Sequence, residues 1–163
     1  MTPCTGNKND MIKAGAKLGK NVDIIGDIHF SSEPYLISIG DGTTISFECA
    51  LITHDAATRV IRHLPNQSPE TVIYGPINIG KNCFIGARTT ILPNVSIGDN
   101  SIIGSCSLVN KDIPDNVVAA GNPCKVICTI DEYMKKHRDD FLYIVSLPYN
   151  EKKAFLLKKF NIK

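Results

Sequence analysis

The chain has 163 residues, 43% of them hydrophobic and 21% charged, a balance that suits one soluble globular domain and excludes a disordered one. A formal net charge of +2 is too small to argue for nucleic acid or a membrane surface as partner. No apolar run is long enough to span a bilayer, and the polar stretch from Met1 to Asp10 lacks a signal-peptide core, so a cytoplasmic protein is expected.

In chain order, the first regular feature is an aliphatic or aromatic residue at six-residue steps: Leu18, Ile24 and Phe30. A second block keeps the step with Ile39, Ile45 and Leu51. The third is the longest: Ile79, Ile85, Ile91, Ile97, Ile103 and Val109, four of them followed by glycine. Two residues before each aliphatic comes a mostly small or β-branched residue, such as Thr43, Cys49, Cys83, Thr89, Ser101 and Ser107. Three residues after stand Asn82, Arg88, Asn94, Asn100, Cys106 and Asp112, and Asn and Asp suit tight corners. Neither an α-helix nor an alternating strand has a period of six. A hexapeptide β-helix does, because one short strand plus its corner takes six residues and three such sides close a coil.

The 28 residues from Leu51 to Ile79 are not a multiple of six, so residues 56–75 are expected to leave the coil as an ordered loop. From Thr129 the pattern changes. Apolar residues from Tyr133 to Val145 fall at helical spacing, Pro148 interrupts them, and Glu151 to Phe160 reads as a second short basic helix. The expected organisation is a coiled domain over residues 1–128 and a helical tail over 129–163, whose helices are placed to cap the open end of the coil. Cys4, Cys49, Cys83, Cys106, Cys124 and Cys128 form no C-x-x-C pair and are read as reduced thiols.

Three stretches carry a family resemblance: Ser32-Glu33-Pro34-Tyr35-Leu36-Ile37, Ile52-Thr53-His54-Asp55, and the block from Ile97 through Val126. With the hexapeptide period, the chain resembles the hexapeptide-repeat acyltransferases, especially sugar O-acetyltransferases of the galactoside, maltose and polysaccharide type. That resemblance implies an all-β repeat fold: a left-handed parallel β-helix of hexapeptide coils with a protruding loop and a C-terminal helical tail. The implied left-handed crossovers break the usual right-handed rule for parallel strands.

His54 occupies a corner position just before the insertion, and the family's catalytic histidine maps onto it. A sugar hydroxyl is a poor nucleophile at neutral pH, and a general base contributes about 10²–10⁴-fold. Imidazole is suited to that role. Asp55 and Glu33 are the candidate supporting carboxylates, either to hold the imidazole tautomer or to meet a substrate hydroxyl. Asp55 is equally suited to ending the strand and solvating the corner. His29, His63 and His137 form no repeat-phased trio of the kind a zinc site needs, so no metal is expected.

The resemblance also implies acetyl-CoA as cosubstrate, held along a groove between two coils by backbone N–H groups at successive corners. Ala87 and Ser105 match those corners. Asn110 and Lys111 match positions near the pantetheine and phosphate end, and Lys125 matches a basic residue suited to a phosphate. A family arginine three residues further on is Cys128 here. The expected activity is direct acetyl transfer to a hydroxyl of a sugar or glycan precursor by a homotrimer, with no nucleic-acid partner. Acetylation of a drug such as chloramphenicol, of an amino sugar or of serine shares the fold and base. A non-catalytic β-helix used for binding or assembly is the reading from another class.

Overall fold

The computed structural model describes residues 5–162, which divide by internal contacts into one unit through residue 130 and a second from residue 131 onward. The first unit is built from three parallel sheets whose strands succeed one another in rotation. One face stacks Lys17–Leu18, Ile37–Ile39, Ile77–Ile79 and Val95–Ile97. The next stacks Asp23–Ile24, Thr44–Ile45, Phe84–Ile85, Ile102–Ile103 and Val117–Ala120. The third stacks Ile28–His29, Ala50–Leu51, Thr90–Ile91 and Leu108–Val109.

The six-residue series sets this arrangement. Ile79, Ile85, Ile91, Ile97, Ile103 and Val109 are all buried, as are the small residues two positions ahead of them, Cys83, Thr89, Ser101 and Ser107. A narrow interior has room for both rows only if one of them is small. The buried hydroxyls are satisfied by backbone carbonyls, as in Thr43 Oγ1 to Gly80 O (2.7 Å) and Ser101 Oγ to Pro114 O (2.8 Å). At the corners Asn82, Arg88, Asn94, Asn100 and Cys106 take left-handed backbone angles, with φ between 52° and 63°. Asparagine is the natural side-chain-bearing residue there. At the first corner it also ladders, Asn82 to Asn100 (2.9 Å) and Asn100 to Asn116 (3.0 Å).

A regular coil takes 18 residues, the step from Lys81 to Asp99. Three coils depart from it, all at the third corner. Leu18 pairs with Ile39, a step of 21, because three additional residues enter between Phe30 and Ile39. Ile39 pairs with Ile79, a step of 40 that leaves 22 residues outside the coil. The last coil is short: Ile113 bridges Ile97 after a step of 16. Asp112 is therefore not the left-handed corner expected of it. Ile113 enters the core, Asn116 takes the left-handed angle, and the Asp112 carboxylate accepts from the Ser96 N–H (2.7 Å).

The N-terminus carries an element absent from the sequence reading. Helix α1 (Lys8–Lys13) starts with a capping box in which Asn7 accepts from the Asp10 N–H and Asp10 answers to the Asn7 N–H. It buries Met11 completely within the hydrophobic core. The insertion begins at His54–Asp55, which pairs antiparallel with Ile73–Tyr74, and contains helix α2 (Thr58–Ile61).

Parallel stacking ends at Ala120, short of the expected boundary at residue 128. Lys125–Thr129 folds back antiparallel onto Val117–Ala120 and covers that strand's edge. Helix α3 (Ile130–Lys136) leads out of this unit. In the second unit the helical pattern expected through Val145 stops earlier, at α3 and a single turn over Arg138–Asp140, and residues 141–147 are irregular. Helix α4 (Tyr149–Lys159) starts directly after Pro148. Among the described residues no helix is long and apolar enough to cross a membrane, and the described cysteines are all free; Cys4 lies outside the described residues.

Candidate active site

The third corner, where every irregular coil departs, gathers the chemistry. The three residues added to the first coil place Ser31–Glu33 directly beneath the start of the insertion, at Thr53 and His54. Ser31 Oγ ties the two levels together by donating to Leu51 O (3.1 Å) and accepting from the Thr53 N–H (3.2 Å). Glu33 is buried at 7% relative exposure and receives three side chains: Ser32 Oγ (2.6 Å), Thr53 Oγ1 (2.9 Å) and His54 Nδ1 (2.8 Å). Burial pushes its carboxyl pKa up, but the hydrogen bonds from Ser32, His54 and Thr53 and the nearby imidazole charge outweigh that and hold it below the ordinary value. Glu33 is thus a carboxylate. It fixes the His54 tautomer with hydrogen on Nδ1 and leaves Nε2 as the basic nitrogen.

Tyr74 braces the ring from the returning strand, edge-on at 6.0 Å between centroids, while Gly75 N–H donates to Thr53 O (2.9 Å). The imidazole is half-buried between two clefts. One, of about 520 Å³, is lined largely by apolar groups such as Ile52, Ile73, Leu92 and Pro93, with Asn94 and Asn110 at its polar end. The other, of about 380 Å³, belongs to the insertion and is lined by Thr58, Arg59, Arg62, Val72 and Tyr74.

Asp55 borders both clefts, and among the described residues no hydrogen bond or ion pair joins it to the imidazole. Its carboxylate accepts from the Ala57 N–H (2.8 Å) and shapes the turn into α2. Of the two carboxylates, Glu33 is the one hydrogen-bonded to the His54 imidazole. Thr53, Ser32 and Tyr74 are site residues that the sequence reading missed. Thr53 stood next to His54 in the same motif, whereas Tyr74 reaches the site through antiparallel pairing and carries no periodic signal.

The residues matched to a cofactor fall into two groups. Asn110 lines the cleft beside His54, with exposed Lys111 next to it at the same third corner. Ala87 and Ser105 stack at the second corner, where the Cys106 N–H donates to Ala87 O (2.8 Å). The Ala87 and Ser105 N–H groups have no acceptor among the described residues. Their stacking is close: a Cβ on Gly86 would come within 2.4 Å of Ser105 N. Lys125 pairs with Ala120, whose side chain lies over Gly104, so it belongs to the second corner as well. Burial pushes the Cys49, Cys83 and Cys124 thiols up, which argues against thiolate nucleophiles at those positions.

Comparison with known proteins agrees with this architecture. The family described as bacterial transferase hexapeptide (six repeats) matches residues 76–111. Protein CapG of Staphylococcus aureus is 45% identical over 131 residues, covering 80% of this chain and 74% of that protein. Galactoside O-acetyltransferase of Escherichia coli K12 is 41% identical over 105 residues, 64% of this chain but only 50% of that enzyme. The solved structure of a galactoside acetyltransferase in complex with coenzyme A superimposes with a TM-score of 0.54 at 30% identity, over 85% of this chain and 74% of that one. Such hexapeptide-repeat neighbours carry the left-handed β-helix expected for these parallel sheets. The chain belongs to the hexapeptide-repeat acyltransferases.

Proposed function

We propose that the chain is an acetyl-CoA-dependent O-acetyltransferase acting on a sugar or glycan-precursor hydroxyl, with His54 as general base and Glu33 as the residue that positions it. The observation that carries this reading is the imidazole held by a buried carboxylate on Nδ1 and set between two clefts. The apolar cleft with Asn110 suits the thioester arm, and the polar cleft of the insertion suits the acceptor. His54 takes the hydroxyl proton as the oxygen attacks the thioester carbonyl. Backbone N–H groups stabilise the oxyanion, and the proton then passes to the leaving thiolate. The relatives named galactoside O-acetyltransferase and the coenzyme A complex support the substrate class and the donor.

The division of the matched residues between two corners supports a homotrimer. His54 and Asn110 stand at the third corner, and Ala87, Ser105 and Lys125 at the second, with a whole face of the coil between them. In a ring of three, the third corner of one copy meets the second corner of the next, and each groove becomes complete.

The test is acetyl transfer from acetyl-CoA to a panel of sugars by wild type and His54→Ala, with coenzyme A binding measured by calorimetry. Loss of about 10²-fold or more in kcat with binding retained is the expected outcome. Activity within about threefold of wild type removes His54 from the base role.

A further inference from the structure

The cleft formed by the insertion has a charge that acetyl transfer to a neutral sugar does not require. Arg59 and Arg62 both line it, together with His54. Ion pairs such as Glu33–His54, Glu48–Arg88 and Asp140–His137 form between other residues, and neither cleft arginine has an ion-pair partner among the described residues. Among the described residues the only carboxylate lining the cleft is Asp55, already engaged with the Ala57 N–H. Glu33 lies behind the imidazole with its oxygens taken by three side chains.

Arg62 is also held in place. It is half-buried, and its Nε donates to Thr71 O (2.5 Å) on the strand-bound return of the loop, where Thr71 Oγ1 is itself fixed to Ser68 O (2.9 Å). That bond immobilises the guanidinium and leaves its Nη donors for a ligand. A pinned, planar donor fork is the usual partner of a carboxylate or phosphate. Arg59 is exposed one turn away on α2 and adds a second positive charge to the same space. At about 380 Å³ the cleft lies in the size range of small-molecule sites, so hydroxyl and anion of one ligand fit together.

We infer that the acceptor is anionic: a sugar bearing a carboxylate or phosphate that Arg59 and Arg62 grip while His54 deprotonates a hydroxyl of the same molecule. This rests on the acetyltransferase reading and adds the acceptor's charge to it. The insertion is then the specificity element, selecting by charge and aiming the hydroxyl, and its arginines act in binding while the chemistry stays with His54.

The experiment compares three acceptors in both gluco and galacto configuration: the methyl glycoside, the methyl glycoside of the uronic acid, and the sugar 1-phosphate. The kcat/KM for each is measured at low salt with wild type, Arg59→Gln and Arg62→Lys. Wild type is expected to favour at least one anionic acceptor over the neutral one by about tenfold or more, and the variants to bring that ratio towards one. Preference for the uronic acid, the phosphate or both upholds the inference and names the anion. A wild-type ratio near or below one, or a ratio unchanged in both variants, overturns it and leaves the acetyltransferase reading standing. If no acceptor is acetylated, that reading fails first. Calorimetric binding of the sugar phosphate or uronide to wild type but not to Arg59→Gln still upholds the anion site, and equal or absent binding overturns it.

Discussion

Glu33 Oε2 lies 2.8 Å from His54 Nδ1 although the two residues are 21 positions apart, three more than a regular coil. The three added residues are what make the contact possible. They let the chain step out of the coil at the third corner and present a carboxylate one level below the histidine. The same level supplies Ser31 and Ser32, which fix the backbone and the carboxylate in turn. One local lengthening of the first coil therefore builds the support for the His54 imidazole.

Glu33→Gln keeps the size of the side chain but removes the charge and the strict acceptor character. The amide can offer its NH₂ to Nδ1, which selects the other tautomer and places hydrogen on the nitrogen that should act as base. We expect kcat to fall by a fraction of the about 10²–10⁴-fold that a general base supplies, with the KM for acetyl-CoA little changed. Steady-state kinetics with both substrates varied separates the two parameters. An unchanged kcat would show that the imidazole is oriented without Glu33.

The same carboxylate makes acid stability testable. Its pKa in the folded chain is below the ordinary 4.5, so between the two values the unfolded chain binds the proton more readily. Glu33 therefore contributes stability that is fully present above about 4.5 and is lost as pH falls through the folded value. Urea denaturation from about pH 6 to about pH 3 should show wild type losing its advantage over Glu33→Gln below the ordinary carboxyl range. A difference that stays constant with pH would contradict the direction of the shift.

Much of this was legible in the sequence because the period of six is a packing requirement. Each of the six aliphatics of the six-residue series from Ile79 to Val109 is buried, and so is Phe30 at the weaker end of the series. The corner position of His54 was legible from its phase, while a role for it came only from the family resemblance. Glu33 was a candidate partner only through the resemblance: the period could not choose between it and Asp55, because the contact depends on strand register and a period says nothing about how many residues a corner has absorbed. Asp112 shows the same limit in reverse, since shortening the last coil by two residues put Ile113 where the series had no aliphatic. Helix α1 was missed because six residues leave too short a pattern for periodicity, although Asn7 and Asp10 were spaced as a capping box. Arg59, Arg62 and Tyr74 reach the site through a hairpin that no repeat encodes.

The placement of the two residue groups predicts an active trimer and no activity from separated chains. Light scattering should give three copies at working concentration, and a monomer would contradict the shared groove. Mixing is more specific. When His54→Ala copies are refolded with Lys125→Glu copies, some grooves combine an intact His54 from one with an intact Lys125 from the other. Activity of the mixture above the sum of the two parents, at acetyl-CoA well below its KM, is the expected result. No gain over the parents would mean that both residues serve a groove within a single copy.

Lys125 also gives a test of how the cofactor is gripped. It is exposed, on the strand that folds back over Ala120, at the same corner as Ala87 and Ser105. Coenzyme A and dephospho-coenzyme A differ by a single 3′-phosphate. If Lys125 holds that phosphate, Lys125→Ala should weaken coenzyme A binding by about 1–2 kcal/mol, the order expected for one charge-assisted hydrogen bond. Binding of dephospho-coenzyme A should hardly change. Because the ammonium is in water, the difference should shrink as salt is added and the Debye length falls below about 10 Å. Calorimetry at two salt concentrations reads both effects. Equal losses for the two cofactors would assign Lys125 to another phosphate or to packing. No loss for either would pass the role to Lys111, which stands exposed at the neighbouring corner.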